Sequence, residues 1–146
     1  MKIALGADSA GYLLKSAVKQ FLEHKNYPYN DFGTFKSDEG DYPEYTYKVS
    51  NAVVKDDYDC GILISRYGIG MCVGANKLKN IRAVVANTIE TAQASRLQFD
   101  ANILCLASGE LKEARAIDIV EAWLSTSFEG GKYQQFLELM SKLTGI

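Results

Sequence analysis

A Ser-Arg-Tyr tripeptide at positions 65–67 follows an apolar run at 61–64 and precedes two spaced glycines, Gly68 and Gly70. The apolar run does not alternate with polar residues, which is typical of a strand buried on both faces of a parallel sheet. Spaced glycines let backbone N–H groups approach a ligand where the next helix begins, and a helix N-terminus favours an anion. The pattern predicts an anion-binding loop, with a tight turn that binds no ligand as the alternative.

The side chains around this loop allow more than one interpretation. Ser65 could take part in proton transfer, but an unassisted serine hydroxyl is a poor proton acceptor at neutral pH, so a hydrogen-bonding role at the helix start is favoured. Arg66 is compatible with a ligand contact and equally with a solvated surface position. Cys72 lies just inside the next helix, where the pKa of a thiol can fall, yet a core position is the preferred interpretation.

Composition limits the classes of function. The chain has 146 residues, 47% of them hydrophobic and 23% charged, which is enough apolar material for one folded domain spanning residues 1–146. The net charge is −2 and the isoelectric point is about 5.4. Nucleic-acid binding normally requires a basic surface, so a small diffusible substrate is a better expectation than a nucleic acid.

The sequence also argues against membrane and extracellular classes. The apolar run at the N-terminus is too short for a signal peptide, and no segment has the length of a membrane span. The three cysteines are widely spaced and odd in number, which favours reduced core thiols and a cytoplasmic location. The single histidine, His24, excludes a histidine-based zinc site or catalytic triad, and no metal site is predicted.

Apolar periodicity predicts five strands that alternate with helices, and hence a doubly wound parallel sheet of Rossmann-like type in three layers. The first helix, after a cap at Asp8 and Ser9, is expected to present one apolar face formed by Leu13, Leu14, Ala17, Val18 and Phe21. A last helix after Gly130 and Gly131 follows a unit that is already complete. The predicted strands cover residues 2–6, 27–32, 60–65, 81–85 and 103–107; the predicted helices end near residues 23, 53, 78, 98 and 124, and the last includes 133–140.

The carboxyl ends of parallel strands meet at one edge of a sheet, where ligands gather near the point at which the strand order reverses. Asp8, Ser9 and the loop at 65–70 should therefore share a crevice with the polar residues at 87–88 and 108–109. The last helix has no remaining surface of its own chain to cover, so we expect it to pack on a neighbouring subunit. This predicts a homodimer or a higher homo-oligomer.

Several separated motifs resemble ribose-5-phosphate isomerase B and the subunits of galactose-6-phosphate isomerase, in the order found in that family. The resemblance covers nearly the whole chain and is more specific than a glycine pattern alone. It implies interconversion of aldose and ketose phosphates through an enediolate, without metal or cofactor, at sites shared between two subunits. The motifs lie at residues 6–11, 31–34, 41–43, 61–64, 68–70, 75–77, 81–83, 102–104 and 129–132.

The resemblance also implies roles for individual residues. Ser65 stands at the position of the family's catalytic cysteine, Gln98 at that of its ring-opening histidine, and Asp8 keeps a ligand-contacting carboxylate; these three are the candidate catalytic residues. Gly109 replaces a ligand-binding arginine, and Tyr133 and Phe136 replace a histidine and a phosphate-binding arginine. The candidate substrate-binding residues are Ser9, Tyr42, Arg66, Tyr67, Gly68, Ile69, Gly70, Phe99 and Lys132.

Three hypotheses for the function follow. The first is a pentose or hexose phosphate isomerase, in which ring opening and proton transfer run through Ser65, a water or a carboxylate such as Asp8 or Asp100. The second is a catalytically degenerate or half-site subunit that works with a related isomerase subunit. The third is a sugar-phosphate binding module that has kept the anion-binding loop and lost the acid and base groups. The identity of the sugar, the proton-abstracting base and the size of the oligomer stay open.

Overall fold

A computed structural model describes residues 1–55 and 57–146 and contains the predicted five-stranded parallel sheet. The strand order is β2-β1-β3-β5-β4, and every adjacent pair is parallel. Strand order therefore reverses between β1 and β3, as in other doubly wound sheets. The strands are β1 (Ile3–Ala7), β2 (Tyr29–Asp31), β3 (Cys60–Ser65), β4 (Ala83–Val85) and β5 (Ile103–Ala107).

Helices cover both faces of the sheet and complete the three-layer fold, which confirms the predicted fold class. The outer strands β2 and β4 are shorter than predicted, because only residues 29–31 and 83–85 pair with a neighbouring strand. Helices α1, α4 and α5 pack on one face and α2 and α3 on the other. The helices are α1 (Tyr12–His24), α2 (Tyr42–Val54), α3 (Ile69–Ala75), α4 (Ile89–Leu97), α5 (Glu113–Ser125) and α6 (Lys132–Thr144).

The three central strands form the core of the sheet. Every residue of β1, β3 and β5 is buried, because helices lie on both faces. Side chains that alternate along β3 pack into different clusters: Ile62 and Ile64 contact the α1 and α5 side, and Leu63 contacts the α2 side. In the described part of the chain, no helix combines the length and hydropathy that crossing a membrane requires.

The predicted apolar face of α1 is partly wrong. Leu13 is 77% exposed, whereas Leu14, Val18 and Leu22 are buried at helical spacing. A short 3-10 turn, Ser9–Gly11, precedes the helix and rotates its start relative to a helix that begins directly at Asp8. The rotation turns Leu13 toward solvent and places Lys15, a charged residue, in the buried interior.

Lys15 forms a buried ion pair with Asp31 at the end of β2. The Lys15 ammonium lies 2.8 Å from the Asp31 carboxylate, and the two side chains are 2% and 11% exposed. Lys15 also donates to the Thr34 carbonyl, and the Gly33 N–H donates to Asp31 at 2.9 Å. Burial acts to raise the pKa of Asp31, but these hydrogen bonds outweigh it and hold the pKa below its usual value of 3.8. The pair thus anchors the loop that leads from β2 to α2.

Replacing Asp31 by Asn should destabilise the protein by about 3–5 kcal/mol, because the buried Lys15 ammonium then has no counter-charge. Urea unfolding at pH 7 measures the change. Since the pKa of Asp31 is lower in the folded protein than in the unfolded chain, its contribution is complete above pH 3.8 and is lost as the pH falls through the folded value. The difference between Asp31→Asn and wild type should therefore shrink in acid.

Lys19→Met provides a matched control for this experiment. Lys19 also pairs with Asp31, at 3.0 Å, but its side chain is 35% exposed. The control should cost less than about 1 kcal/mol. An equal loss for both variants would contradict the assignment of the stabilisation to the buried Lys15 pair.

Candidate active site

The carboxyl ends of β1 and β3 lie side by side at the reversal of strand order. Ala7 is in register with Ile64, and the Asp8 N–H donates to the Ile64 carbonyl at 3.2 Å. Asp8 is therefore the first residue after β1, and Ser65 is the last residue of the adjacent strand β3. Crevices for ligands in doubly wound sheets form at this point.

Gly11 brings the turn after β1 into direct contact with the end of β3. A Cβ at Gly11 would lie 2.3 Å from the Ile64 carbonyl oxygen, so only glycine fits. The Asp8 carboxylate accepts a hydrogen bond from the Gly11 N–H at 3.1 Å. These contacts explain why position 11 of the 6–11 motif is a glycine, and they fix the direction of the Asp8 side chain.

The Asp8 carboxyl has a pKa above its usual value of 3.8. Partial burial is the main cause, and the negative charge of Asp41 adds to it, whereas hydrogen bonds from backbone N–H groups act in the opposite direction. A carboxylate whose pKa moves toward neutrality is better suited to exchange protons with a substrate. Asp41 was not predicted as a site residue. Its place in the Asp-Tyr-Pro motif at 41–43 was the sequence feature that could have indicated it.

Hydrogen bonds join the loop after β2 to the end of β1 and so position α2. The Thr34 N–H donates to the Ala7 carbonyl at 2.7 Å, and the Ser9 N–H donates to the Gly40 carbonyl at 3.2 Å. Tyr42, at the start of α2, lies with its ring against Gly70, where a Cβ would be 3.0 Å from the ring. Tyr42 is 44% exposed, so it forms an accessible wall beside the glycine loop.

The loop between β3 and α3 leaves backbone donors free. Gly68 has a φ of +73°, a conformation that favours glycine, and its N–H donates to the Ser65 hydroxyl oxygen at 3.1 Å. In residues 1–55 and 57–146, no acceptor meets the N–H groups of Ile69, Gly70 and Met71. They form the open N-terminus of α3, as the glycine spacing predicted.

Ser65 acts as a hydrogen-bond acceptor at this turn. It is buried, and the Gly68 N–H is the partner of its hydroxyl group within the described residues. No carboxylate there accepts the Ser65 proton, so the arrangement does not activate it as a base. This geometry agrees with the predicted hydrogen-bonding role at the helix start.

Arg66 and Tyr67 extend from the same turn into solvent. Both are exposed, and the Arg66 guanidinium carbon lies 5.4 Å from the centre of the Tyr67 ring. Backbone bonds connect the loop to the end of β5, because Ser108 and Gly109 donate to the carbonyls of Ser65 and Arg66, each at 2.8 Å. The predicted neighbourhood of the loops after β1, β3 and β5 is therefore present.

The structure does not bring Gln98, Phe99 and Lys132 to this crevice within one chain. Helix α4 runs back across the sheet, and Gln98 and Phe99 lie at its end, shortly before β5 begins. The Glu129 N–H donates to the Leu97 carbonyl at 3.0 Å, which places the start of α6 at the same edge. We call these three residues the amino-edge group, and residues 8–9, 42 and 65–70 the carboxyl-edge group.

Asp100, the other carboxylate considered for proton transfer, belongs to the amino edge as well. Its oxygens lie 3.2 Å from Arg96 and 3.1 Å from Arg82. The two guanidinium partners occupy both of its carboxylate oxygens. Asp8 is thus the carboxylate at the same edge of the sheet as the free N–H groups. Within residues 1–55 and 57–146, no three His, Cys, Asp or Glu side chains are close enough to hold a metal ion.

Cys72 differs from the buried thiol that the sequence indicated. It is only partly buried, and a hydrogen bond from the Cys105 thiol lowers its pKa to about 7. Cys60 and Cys105 are buried as predicted, and burial raises the pKa of Cys60 to about 12. Cys72 lies on α3, the helix that follows the glycine loop.

Iodoacetamide should therefore modify Cys72 before the other two cysteines in the folded protein. The rate should rise with pH through about 7 and then level off, because the thiolate is the reacting form. Peptide mapping by mass spectrometry measures the order, and Cys72→Ser should remove the fast phase. Modification of Cys60 or Cys105 at the same rate as Cys72 would contradict the predicted order of reactivity.

Known proteins resemble this chain over nearly its whole length. The family model described as Ribose/Galactose Isomerase matches residues 3–140. Ribose-5-phosphate isomerase B of Escherichia coli is 39% identical over 142 residues, covering 97% of this chain and 95% of that protein. The corresponding Listeria innocua protein is 37% identical over 143 residues, which cover 98% and 97% of the two chains.

Solved structures give the same result for the fold. Ribose-5-phosphate isomerase B of Clostridium thermocellum superimposes with a TM-score of 0.96 at 37% identity, covering 99% of this chain and 98% of that one. The Mycoplasma genitalium enzyme, solved with bound ribulose-5-phosphate, has a TM-score of 0.93 at 32% identity, with 99% and 96% covered. With its strand order, its glycine loop and these matches, the chain belongs to the ribose/galactose isomerase family.

Proposed function

We propose that the protein interconverts an aldose phosphate and its ketose isomer through an enediolate, with ribose 5-phosphate and ribulose 5-phosphate as the first pair to test. The observation that carries this proposal is that the Asp8 carboxylate, whose pKa is raised, and the free N–H groups of residues 69–71 follow two adjacent strands at the same edge of the sheet. The relatives named ribose-5-phosphate isomerase B support the choice of a pentose phosphate. The family description also includes galactose, so a hexose phosphate is the second substrate class.

The proposed chemistry divides the work between backbone and side chain. The N–H groups of Ile69, Gly70 and Met71 donate to the oxygen that gains negative charge when the C2 proton leaves. Asp8 accepts that proton and returns it to C1, while the proton of the O2 hydroxyl passes to O1, so that the carbonyl forms at C2 and C1 becomes a CH2OH group. Ser65 holds the Gly68 N–H and so keeps the loop open, and Ser9 and Tyr42 border the sugar. This route uses side chains and backbone amides, without a metal or cofactor.

In heavy water, the pure protein should exchange the C2 proton of its sugar phosphate for deuterium, which proton NMR detects. Asp8→Asn should lower the exchange rate by about 10²–10⁴-fold, because the amide cannot accept the proton. Since the pKa of Asp8 is raised, the acid limb of the activity profile should lie above pH 3.8. If the wild type exchanges no proton with any member of a panel of pentose and hexose phosphates, the isomerase proposal is rejected.

Ser65→Ala is the matched variant for Asp8→Asn. It removes the acceptor of the Gly68 N–H but no proton carrier. We expect a smaller loss of exchange than for Asp8→Asn. A larger loss for Ser65→Ala would instead identify Ser65 as the proton carrier. Binding of sugar phosphates without exchange in any condition would favour the binding-module hypothesis, with ligand-dependent thermal stabilisation as its measurement.

We further propose that two copies of the chain form each complete site. The amino-edge group of Gln98, Phe99 and Lys132 is separated from the carboxyl-edge group by the length of the sheet, so a second copy must supply it. A two-fold homodimer does this twice, once for each site. Lys132 of the second copy would then add a cation for the phosphate, and Gln98 a hydrogen-bonding amide for the sugar.

Two exposed apolar surfaces support this dimer. No residue of α6 is buried, and Phe136, Leu139 and Leu143 are 62%, 52% and 74% exposed. Beside the glycine loop, α2 and α3 enclose a largely apolar groove of about 510 Å³ that includes Tyr47 and Val73. Exposed apolar patches of this kind usually mark contact with another protein.

Mixing two inactive variants tests whether the site is shared. Asp8→Asn damages the carboxyl-edge group and Lys132→Ala the amino-edge group. If each site takes one group from each chain, a mixed dimer contains one intact site, and refolding an equal mixture should restore about a quarter of wild-type activity. Each variant alone, refolded in the same way, is the control.

Failure of the mixture to exceed the more active variant would contradict a shared site. Light scattering on the wild type gives the oligomeric mass independently. Activity that appears only with a related isomerase subunit would identify the chain as one half of a heteromeric enzyme.

We also propose that residues 1–146 act as one isomerase domain in the cytoplasm; the match over residues 3–140 and the three free cysteines support this.

A further inference from the structure

Arg66 is an exposed cation at the carboxyl edge of the sheet whose charge is not neutralised by the chain. In residues 1–55 and 57–146, no carboxylate lies within ion-pair distance of its guanidinium group. The centre of the Tyr67 ring lies 5.4 Å from the guanidinium carbon, and this cation–π contact leaves the guanidinium N–H groups free. A planar group with free edge donors can bind an oxyanion with two hydrogen bonds.

Gly109 provides the space in which the stem of Arg66 lies. A Cβ at Gly109 would be 2.9 Å from the Arg66 Cγ and 2.9 Å from the Arg66 carbonyl oxygen. The Gly109 N–H donates to that carbonyl at 2.8 Å, so the backbone cannot move away easily. Any side chain at position 109 would therefore displace the Arg66 stem. The first part of the Arg66 side chain thus lies against Gly109, on the β5 side of the carboxyl edge.

The carboxylates after β1 and the Arg66 cation lie on different sides of this edge of the sheet. A further carboxylate, Glu110, follows Gly109 and accepts a hydrogen bond from the Asn87 side-chain amide at 2.9 Å. Asp8 and Asp41 are close enough for the charge of one to raise the pKa of the other. Both lie on the β1 and α2 side, where a phosphate dianion is repelled. Arg66 lies on the β5 side, against Gly109. A sugar phosphate that places its carbonyl end near Asp8 would thus find favourable charge for its phosphate toward Arg66.

We propose that Arg66, held in place over Gly109, binds the phosphate group of the substrate and sets the preference for phosphorylated over free sugars. This inference rests on the proposed isomerase function and names the residue that selects its substrate class. It assigns to Gly109 a positioning role, which acts through Arg66.

Binding of a pentitol 5-phosphate, which has no carbonyl and cannot isomerise, tests the proposal without turnover. Titration calorimetry compares it with the unphosphorylated pentitol for wild type, Arg66→Ala, Arg66→Lys and Gly109→Ala. We expect Arg66→Ala to raise the Kd of the pentitol phosphate by about tenfold or more. Arg66→Lys should raise it less, because lysine keeps the positive charge but lacks the paired N–H donors of the guanidinium group. Binding of the free pentitol should be the same in all variants.

The double variant Arg66→Ala/Gly109→Ala tests the positioning role. Gly109→Ala alone should weaken phosphate binding several-fold, and it should have no further effect once Arg66 is absent. Lys112→Ala is the matched control, because it removes an exposed cation from the start of α5, in the segment after β5. That control should change the Kd less than about twofold. Thermal unfolding confirms that each variant is folded.

Several results would overturn the proposal. They are an unchanged Kd in Arg66→Ala, an equal loss in Lys112→Ala, a loss that affects the free pentitol as much as the phosphate, or no binding of the phosphate by the wild type. Additive effects of the two substitutions would remove the role of Gly109. Where the substrate is turned over, Arg66→Ala should raise KM with little change in kcat. A wild type that binds the phosphate but exchanges no substrate proton would reject the isomerase function and leave the role of Arg66 standing.

Discussion

The close contact between Gly11 and the Ile64 carbonyl is the constraint on which the candidate site depends. Because the turn after β1 lies directly on the end of β3, the Asp8 carboxylate is held beside the loop that begins at Ser65. A side chain at position 11 would push the turn away by more than the site can absorb, since backbone atoms are the obstacle. The free N–H groups of α3 and the carboxylate are thus placed by packing of the backbone.

A second constraint follows from the parallel sheet itself. Each strand in such a sheet points the same way, so each connecting helix returns the chain to the opposite edge. Residues that follow the strands and residues at the C-terminal ends of the connecting helices therefore lie at opposite edges of the sheet. Gln98 and Lys132 lie at the helix-return edge, and Asp8 lies at the strand-end edge. A site that uses all of them needs two chains, and the exposed apolar side of α6 gives the second chain a surface to contact.

The sequence predicted the fold well because the buried strands are almost purely apolar. The runs that became β1, β3 and β5 are apolar without alternation, which indicates strands buried on both faces, and the helices predicted between them indicate a parallel sheet. It predicted the face of α1 less well. A single 3-10 turn changes the rotation of the helix, and periodicity cannot reveal a turn that shifts the starting residue.

The site was predictable in its parts but not in its arrangement. Glycine spacing indicated the free donors at 69–71, since that signal is local. The burial of Lys15 was missed because its partner, Asp31, is distant in sequence, and an isolated lysine in an amphipathic helix normally faces water. The pKa of Cys72 depends on a contact with Cys105 in another element, which no spacing within α3 can show.

The position of Ser65 shows how a proton-transfer site can change without losing its scaffold. The hydroxyl group accepts the Gly68 N–H, so it maintains the loop whose next donors remain free. Proton transfer then requires a nearby group whose ionisation is accessible near neutral pH, and burial together with the charge of Asp41 brings Asp8 closer to that range. In the proposed mechanism, holding the loop and moving the proton are separate tasks of different residues, Ser65 at the end of β3 and Asp8 after β1. The oxyanion would be stabilised by backbone groups of a loop that the Ser65 hydroxyl holds in place.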